Sequence, residues 1–149
     1  MVKFLLASLP TEAQWEYACR AGTTTAYNNG WDGTTVANAP GWYAGNSEGR
    51  THEVRQKAAN NWGLYNMHGN VWEWCWDWIS DNYDNSFQTR TNDQATGNEN
   101  PAGASSGHHR VIRGGSWIYY DTTMRSAFRS TGNPHINDDP GVGFRLVRP

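Results

Sequence analysis

The apolar and polar positions alternate most regularly in Asn70-Val71-Trp72-Glu73-Trp74-Cys75-Trp76-Asp77-Trp78. A period of two is that of a β-strand, so the indoles of Trp72, Trp74, Trp76 and Trp78 share one side. Each indole offers roughly 150–250 Å² to bury. The row reads as a stacking platform for sugars, bases or peptides, or as the spine of a core. A helical period precedes it: Trp15, Ala18 and Cys19 stand at i, i+3 and i+4. Thr11 with Gln14 forms a capping-box pattern, Glu12 favours the first turn, and Gly22 fits a stop. Residues 23–61 carry turn signals with Trp31, Trp42 and Tyr43 among them, which predicts a long loop pinned by aromatic anchors. Residues 80–109 predict a second long loop. Segments 111–117, with a glycine break, and 143–147 predict further strands.

Composition narrows the fold. The chain has 149 residues, mean hydropathy −0.81, nine tryptophans and sixteen glycines. A single domain of this size buries about two-thirds of its unfolded surface. The balance favours short strands, loops and an aromatic core over a helical bundle. Net charge is −2 with no basic cluster, which argues against nucleic acid as a partner. Cys19 and Cys75 allow at most one disulfide and, lacking a Cys-x-x-Cys pair, no structural zinc. The apolar run at residues 4–7 is too short for a signal-peptide core, and nothing approaches a membrane span of about 20 apolar residues. The five histidines lack ligand spacing, and there is no Gly-x-Ser-x-Gly, P-loop or dinucleotide motif.

Four phrases carry a resemblance: Leu9-Pro10-Thr11-Glu12-Ala13-Gln14-Trp15-Glu16-Tyr17-Ala18, Gly63-Leu64-Tyr65-Asn66-Met67-His68-Gly69-Asn70-Val71-Trp72-Glu73-Trp74, Arg113-Gly114-Gly115-Ser116-Trp117, and Gly143-Phe144-Arg145. In order and spacing they resemble formylglycine-generating-enzyme-like (sulfatase-modifying-factor) domains. The resemblance implies one α+β domain over residues 1–149 with a C-type-lectin-like fold. Its short antiparallel strands, one clear N-terminal helix and long ordered loops would make the tryptophan strand part of the core. Arg113, Arg129 and Arg145 become buried scaffold. Enzymes of this family oxidise a substrate cysteine through a cysteine pair just after the Arg-Gly-Gly-Ser motif. Residues 118–126 contain no cysteine, so no catalytic residue is assigned and oxidase activity is not expected. No cofactor is required. Asn66, Gly69, Val71 and Glu73 match positions that hold a structural calcium in some relatives, against the plainer reading that they bond loop backbone.

Residues 118–142 have a composition of their own. They contain no Lys, Glu, Gln or Trp, and every residue but Met124 can be encoded by a codon ending in a pyrimidine. Framed by Arg113-Gly114-Gly115-Ser116-Trp117 and Gly143-Phe144-Arg145, the run resembles the variable region of diversity-generating retroelement variable proteins. In those proteins asparagine-type codons are rewritten around fixed scaffold positions. The resemblance implies a ligand-binding surface over about 118–140. Its residues would be Ile118, Tyr119, Tyr120, Thr122, Thr123, Phe128, Ser130, Thr131, Gly132, Asn133, His135, Ile136, Asp138 and Asp139. Tyr with small polar residues suits recognition, as in antibody loops. The implied function is non-catalytic, of receptor or adhesion type. The partner would be a protein or other macromolecule on a cell surface, and this protein would be surface-displayed or virion-associated. The rivals are a degenerate sulfatase-modifying-type enzyme, a calcium-dependent carbohydrate-binding lectin, and a solvated loop with no partner.

Overall fold

Helix α1 (Glu12–Arg20) begins where the capping box places it. The Thr11 hydroxyl accepts the Gln14 N–H at 3.2 Å, and the Gln14 side chain accepts the Thr11 N–H at 2.9 Å. It ends one residue earlier than the glycine rule predicts. Ala21 takes the left-handed conformation (φ 45°) and returns its N–H to the Tyr17 carbonyl, and Gly22 (φ 88°) only continues the turn. The computed structural model describes residues 7–79, 106–136 and 139–148. Candidate Asp138 and most of the loop predicted over 80–109 lie outside the described residues.

A four-stranded sheet follows, built from β1 (Trp72–Ile79), β2 (His109–Arg113), β3 (Arg129–Gly132) and β4 (Val142–Phe144), in the spatial order β3-β2-β1-β4. β1–β2 and β2–β3 are antiparallel, as expected. β4 is not: it lies parallel to β1, with Trp72 beside Val142 and Trp74 beside Phe144. The chain leaves β3 at one edge, crosses to the other, and enters alongside the start of β1, where Gly141 O accepts the Trp72 N–H at 2.7 Å. A bulge interrupts the β1–β2 ladder between Trp74 and Trp78.

The two faces of β1 reverse the expected division of labour. Helix α1 packs on the side of Glu73, Cys75 and Asp77, all buried. The core there consists of Trp15, Cys19, Met67, Cys75 and Val111. Of the four tryptophans on the opposite side only Trp72 is buried, and Trp76 is 54% exposed. The tryptophan row is therefore not the spine of the core. The helix needs acceptors, which the intervening residues supply: Trp15 Nε1 donates to Glu73 at 2.7 Å, and the Glu12 N–H donates to Asp77 at 2.7 Å.

Arg113, 0% exposed, binds Glu12 and Glu16 at 2.6 Å each, and Arg129 binds Glu12 from the neighbouring strand. Burial opposes ionisation of Glu16, but the Arg113 charge and the bonds from Arg20 and Arg113 outweigh it and hold its pKa low. Of the three arginines read as buried scaffold, Arg113 is buried and Arg129 and Arg145 are half-buried, and all three pair with carboxylates, Arg145 with Glu73. A second cluster, Tyr27, Trp31, Ala39, Tyr43 and Met124, anchors the long loop of residues 23–61.

Candidate binding surface

The stretch after Ser116 is held by its backbone. Trp117 N–H donates to Asn70 O at 2.9 Å, and Ser47 Oγ donates to Trp117 O at 2.8 Å. Ala44 N–H donates to Tyr119 O at 2.9 Å, and Tyr27 Oη to Asp121 O at 2.9 Å. A short 3₁₀ turn, Asp121–Met124, then buries the Met124 side chain completely in the second cluster. His68 Nδ1 donates to Met124 O at 2.7 Å, and its Nε2 accepts the Asn28 N–H at 3.2 Å. Burial drives the His68 pKa down to about 4, so the ring is neutral and bridges two loops. Ser126, also buried, donates its N–H to Ala26 O at 2.8 Å and accepts from Arg113 at 2.5 Å. The pinning groups thus come mostly from outside 118–136, and they grip main-chain atoms.

The predicted side chains divide by exposure. Ile118, Tyr119, Tyr120 and Ile136 are 43, 42, 78 and 58% exposed, and Thr122, His135 and Asp139 are also exposed. Thr123, Phe128, Ser130, Thr131, Gly132 and Asn133 are half-buried. The tryptophan side of the sheet lies beneath several of them. The Trp72 ring meets Tyr119 edge-on at 5.8 Å and Phe128 at 6.1 Å. A Cβ placed on Gly132 would lie 2.4 Å from the Trp74 ring, so glycine is required by space there.

Register splits β3. Ser130 pairs with Ile112, on the Trp74 side, whereas Thr131 pairs with core residue Val111, on the helix side. Ser130 and Gly132 therefore join the tryptophan side, and Thr131 faces away from it. Arg125 is exposed and lies over Phe128 at 5.7 Å. Nothing in the sequence singles it out, because the burial of its neighbours Met124 and Ser126 is set by the fold.

The side chains of two calcium-type positions, Glu73 and Asn66, are already engaged. Glu73 Oε2 accepts from Trp15 and from Arg145 Nε at 2.9 Å, and Oε1 accepts from Arg145 at 2.9 Å. Asn66 Oδ1 accepts the Arg55 N–H at 2.9 Å, and Gly69 donates its N–H to Gly114 O at 2.7 Å. Val71 is half-buried. A guanidinium stands where a cation would otherwise neutralise Glu73. Cys19 and Cys75 are free and buried. Burial lifts the Cys19 thiol to about 12 and raises that of Cys75 too, which leaves both unreactive.

With this geometry in place, the family is decided by a profile of the sulfatase-modifying factor enzyme 1-like domain, which matches residues 5–149. The chain belongs to the sulfatase-modifying-factor family. It is 34% identical over 155 aligned residues to the formylglycine-generating enzyme of Streptomyces coelicolor, covering 93% of this chain and 46% of that protein. It is 35% identical over 141 residues to serine/threonine-protein kinase pkn1 of Chlamydia pneumoniae, covering 94% of this chain and 20% of the kinase. Among solved structures it is similar to Treponema denticola variable protein 1, with TM-score 0.75, 38% identity, and coverage of 94% of this chain and 46% of that one. PvdO from Pseudomonas aeruginosa matches with TM-score 0.72 and 27% identity, over 95% of this chain and 52% of PvdO. The chain thus spans about half the length, or less, of these relatives. Its fold is the α+β, C-type-lectin-like fold of this family. Among the described residues no helix is long and apolar enough to cross a membrane.

Proposed function

We propose that this member of the sulfatase-modifying-factor family is a non-catalytic binding protein that presents residues 118–136 to a macromolecular partner on a cell surface. The observation that carries this is the separation of backbone from side chain in that stretch. The main chain is fixed by Asn70, Ser47, Tyr27, His68 and Arg113, while Ile118, Tyr119, Tyr120, Thr122 and His135 project outward. Side chains of such residues are replaceable without loss of the fold, which is what a diversified surface requires. Tyr119 and Tyr120 serve as aromatic anchors, and Thr122, Asn133 and His135 as adaptable polar contacts. Phe128, packed on Trp72, supports them from below. The similarity to a variable protein of Treponema denticola supports the same reading. So does the absence of a cysteine from 118–126 together with the burial of both thiols. Surface display on a cell or virion is the setting that fits.

The test is genomic first. A reverse transcriptase gene and a near-copy of the 3′ coding segment should lie beside the gene, with asparagine-type codons opposite Tyr119, Tyr120, Thr122 and Phe128. Related copies whose differences are scattered evenly along the chain, with neither element nearby, would overturn the diversification. Copper-dependent turnover of a cysteine-containing peptide would overturn the non-catalytic assignment.

A further inference from the structure

The turn after Tyr27 carries chemistry that the proposed binding surface leaves unused. Asn29 is exposed and is followed by an exposed Gly30, and Asn29-Gly30 is the one Asn-Gly pair in the chain. The Cγ of an asparagine amide is an electrophile within reach of the next backbone nitrogen, and glycine at that next position puts no side chain in the way. A Cβ on Gly30 would meet nothing within 4 Å, so the turn has room to move. Trp31 N–H donates to Asn29 Oδ1 at 3.0 Å, which folds the side chain back along its own backbone. That donor is aimed at the oxygen that gains charge when Cγ is attacked.

The same side-chain turn recurs elsewhere, without the same chemistry. Asn60 Oδ1 accepts the Trp62 N–H at 3.0 Å, but Asn60 is buried, its amide donates to Ala18 O and Cys19 O, and its successor Asn61 carries a side chain. Asn133 and Asp139 accept the N–H groups of His135 and Gly141 at 2.9 and 2.7 Å, but Pro134 and Pro140 follow them and have no N–H to lose. Asp32 precedes Gly33, but bonds from the Thr34 hydroxyl and N–H hold its carboxyl below the usual range, and a carboxylate resists attack. Among the described residues, Asn29 alone joins an exposed amide to a glycine successor. What restrains it is the Gly30 N–H, which donates to Tyr27 O at 3.1 Å and must come free first.

We propose that Asn29 is a site of spontaneous modification, its side-chain amide converting in water to aspartate and isoaspartate so that the loop of residues 29–38 loses its brace. Gly30 N gives its proton to a base in the solvent and bonds to Asn29 Cγ; the Cγ–Nδ2 bond breaks, and ammonia leaves with a proton from water. Water then opens the cyclic imide. Breaking the new N–Cγ bond yields aspartate, and breaking the bond from Gly30 N to the Asn29 backbone carbonyl carbon yields isoaspartate. No oxidant or reductant takes part. The brace is the bond from Asn29 Nδ2 to Asn38 O at 2.9 Å, and a carboxylate in place of the amide sets acceptor against acceptor. This loop supplies Trp31 to the cluster that contains Met124, and Ala39 of that cluster follows it directly. The modification lies outside residues 118–136 and does not rest on the display reading.

The experiment holds the folded chain at mildly alkaline pH, samples it over weeks, and reads its peptides by mass spectrometry. The peptide carrying Asn29 should gain the mass of one amide-to-acid exchange and separate into two products of equal mass, at a rate that rises with hydroxide. Peptides carrying Asn60 and Asn133 should convert at least tenfold more slowly, and Gly30→Ala should slow Asn29 by a similar factor. Asn29→Asp, which reproduces one product, should speed proteolysis within residues 29–38 severalfold. An Asn29 that stays intact in the folded chain while it converts in the urea-unfolded chain would overturn the proposal. So would conversion of Asn60 as fast as that of Asn29, or equal proteolysis of Asn29→Asp and the parent. If Gly30→Ala fails to fold, the comparison of Asn29 with Asn60 within the parent chain decides the matter.

Discussion

The two sides of β1 are made of opposite materials and do opposite work. Toward α1 the strand turns Glu73, Cys75 and Asp77, and all are buried; away from it the strand turns four tryptophans, of which Trp76 is largely in solvent. Polar groups are inside on the first side because each has a partner: Glu73 holds Arg145 and Trp15, and Asp77 holds the helix N-terminus. The second side is covered partway by the stretch that follows Ser116, through Tyr119 and Phe128 on Trp72 and Gly132 on Trp74. A polar interior held by such specific bonds tolerates little change. An aromatic bed accepts many shapes above it. This contrast gives the proposed display surface a fixed frame to rest on.

The sharpest way to break the contrast is on the helix side. Arg113→Met leaves Glu12 and Glu16 facing each other without their shared buried cation, and leaves Ser126 O unbonded. Removing one member of such a network costs ~3–5 kcal/mol. Chemical denaturation should show that loss, and a loss below ~1 kcal/mol would mean that the helix side is not the rigid one.

Acid should act next, through the His68 bridge between two loops. Unfolded His68 takes up a proton near pH 6.5, whereas in the fold it does so only at about 4. The unfolded chain therefore binds more protons in that window, and stability falls as pH drops from 6.5 to 4, by about 3 kcal/mol for this group. Burial raises the Asp77 pKa, which works in the opposite direction. The His68 term is read from the difference between the pH–stability curves of the parent and His68→Gln. Parallel curves would refute it.

On the tryptophan side sits Gly132, where a methyl group would press on the Trp74 ring. Gly132→Ala should cost ~1–3 kcal/mol by overpacking. An unchanged melting temperature would show that the tryptophan bed yields more easily than its contacts imply. Gly132 would then be as free to vary as Tyr120.

Much of the frame was legible in the sequence because it is written in local patterns. The capping box at Thr11 and Gln14, the strand period at 72–78 and the exposed tyrosines at 119 and 120 all appear where they were read. The direction of burial across β1 was not legible. The family resemblance placed the tryptophan strand in the core, but the helix side is chosen by hydrogen-bond demand, set by Arg113 and Trp15 from distant parts of the chain. The parallel entry of β4 and the opposed faces of Ser130 and Thr131 depend on register, which the short strands leave open.

The smallest stability effect is the most telling for function. Tyr120 is 78% exposed, and its backbone takes part in the turn through its carbonyl, which accepts the Thr123 hydroxyl at 2.8 Å. Tyr120→Ala keeps that carbonyl and removes only a ring standing in solvent, so stability should move by less than ~0.5 kcal/mol. Trp76→Ala should be equally mild in packing, apart from the cation–π contact its ring makes with Arg110 at 4.9 Å. The pair separates when the protein is used to capture cells carrying its partner. Tyr120→Ala should weaken capture at least tenfold, as loss of an aromatic anchor does, while Trp76→Ala, away from the 118–136 stretch, should leave it intact. The reverse result would move the recognition surface from the stretch after Ser116 onto the tryptophan strand itself.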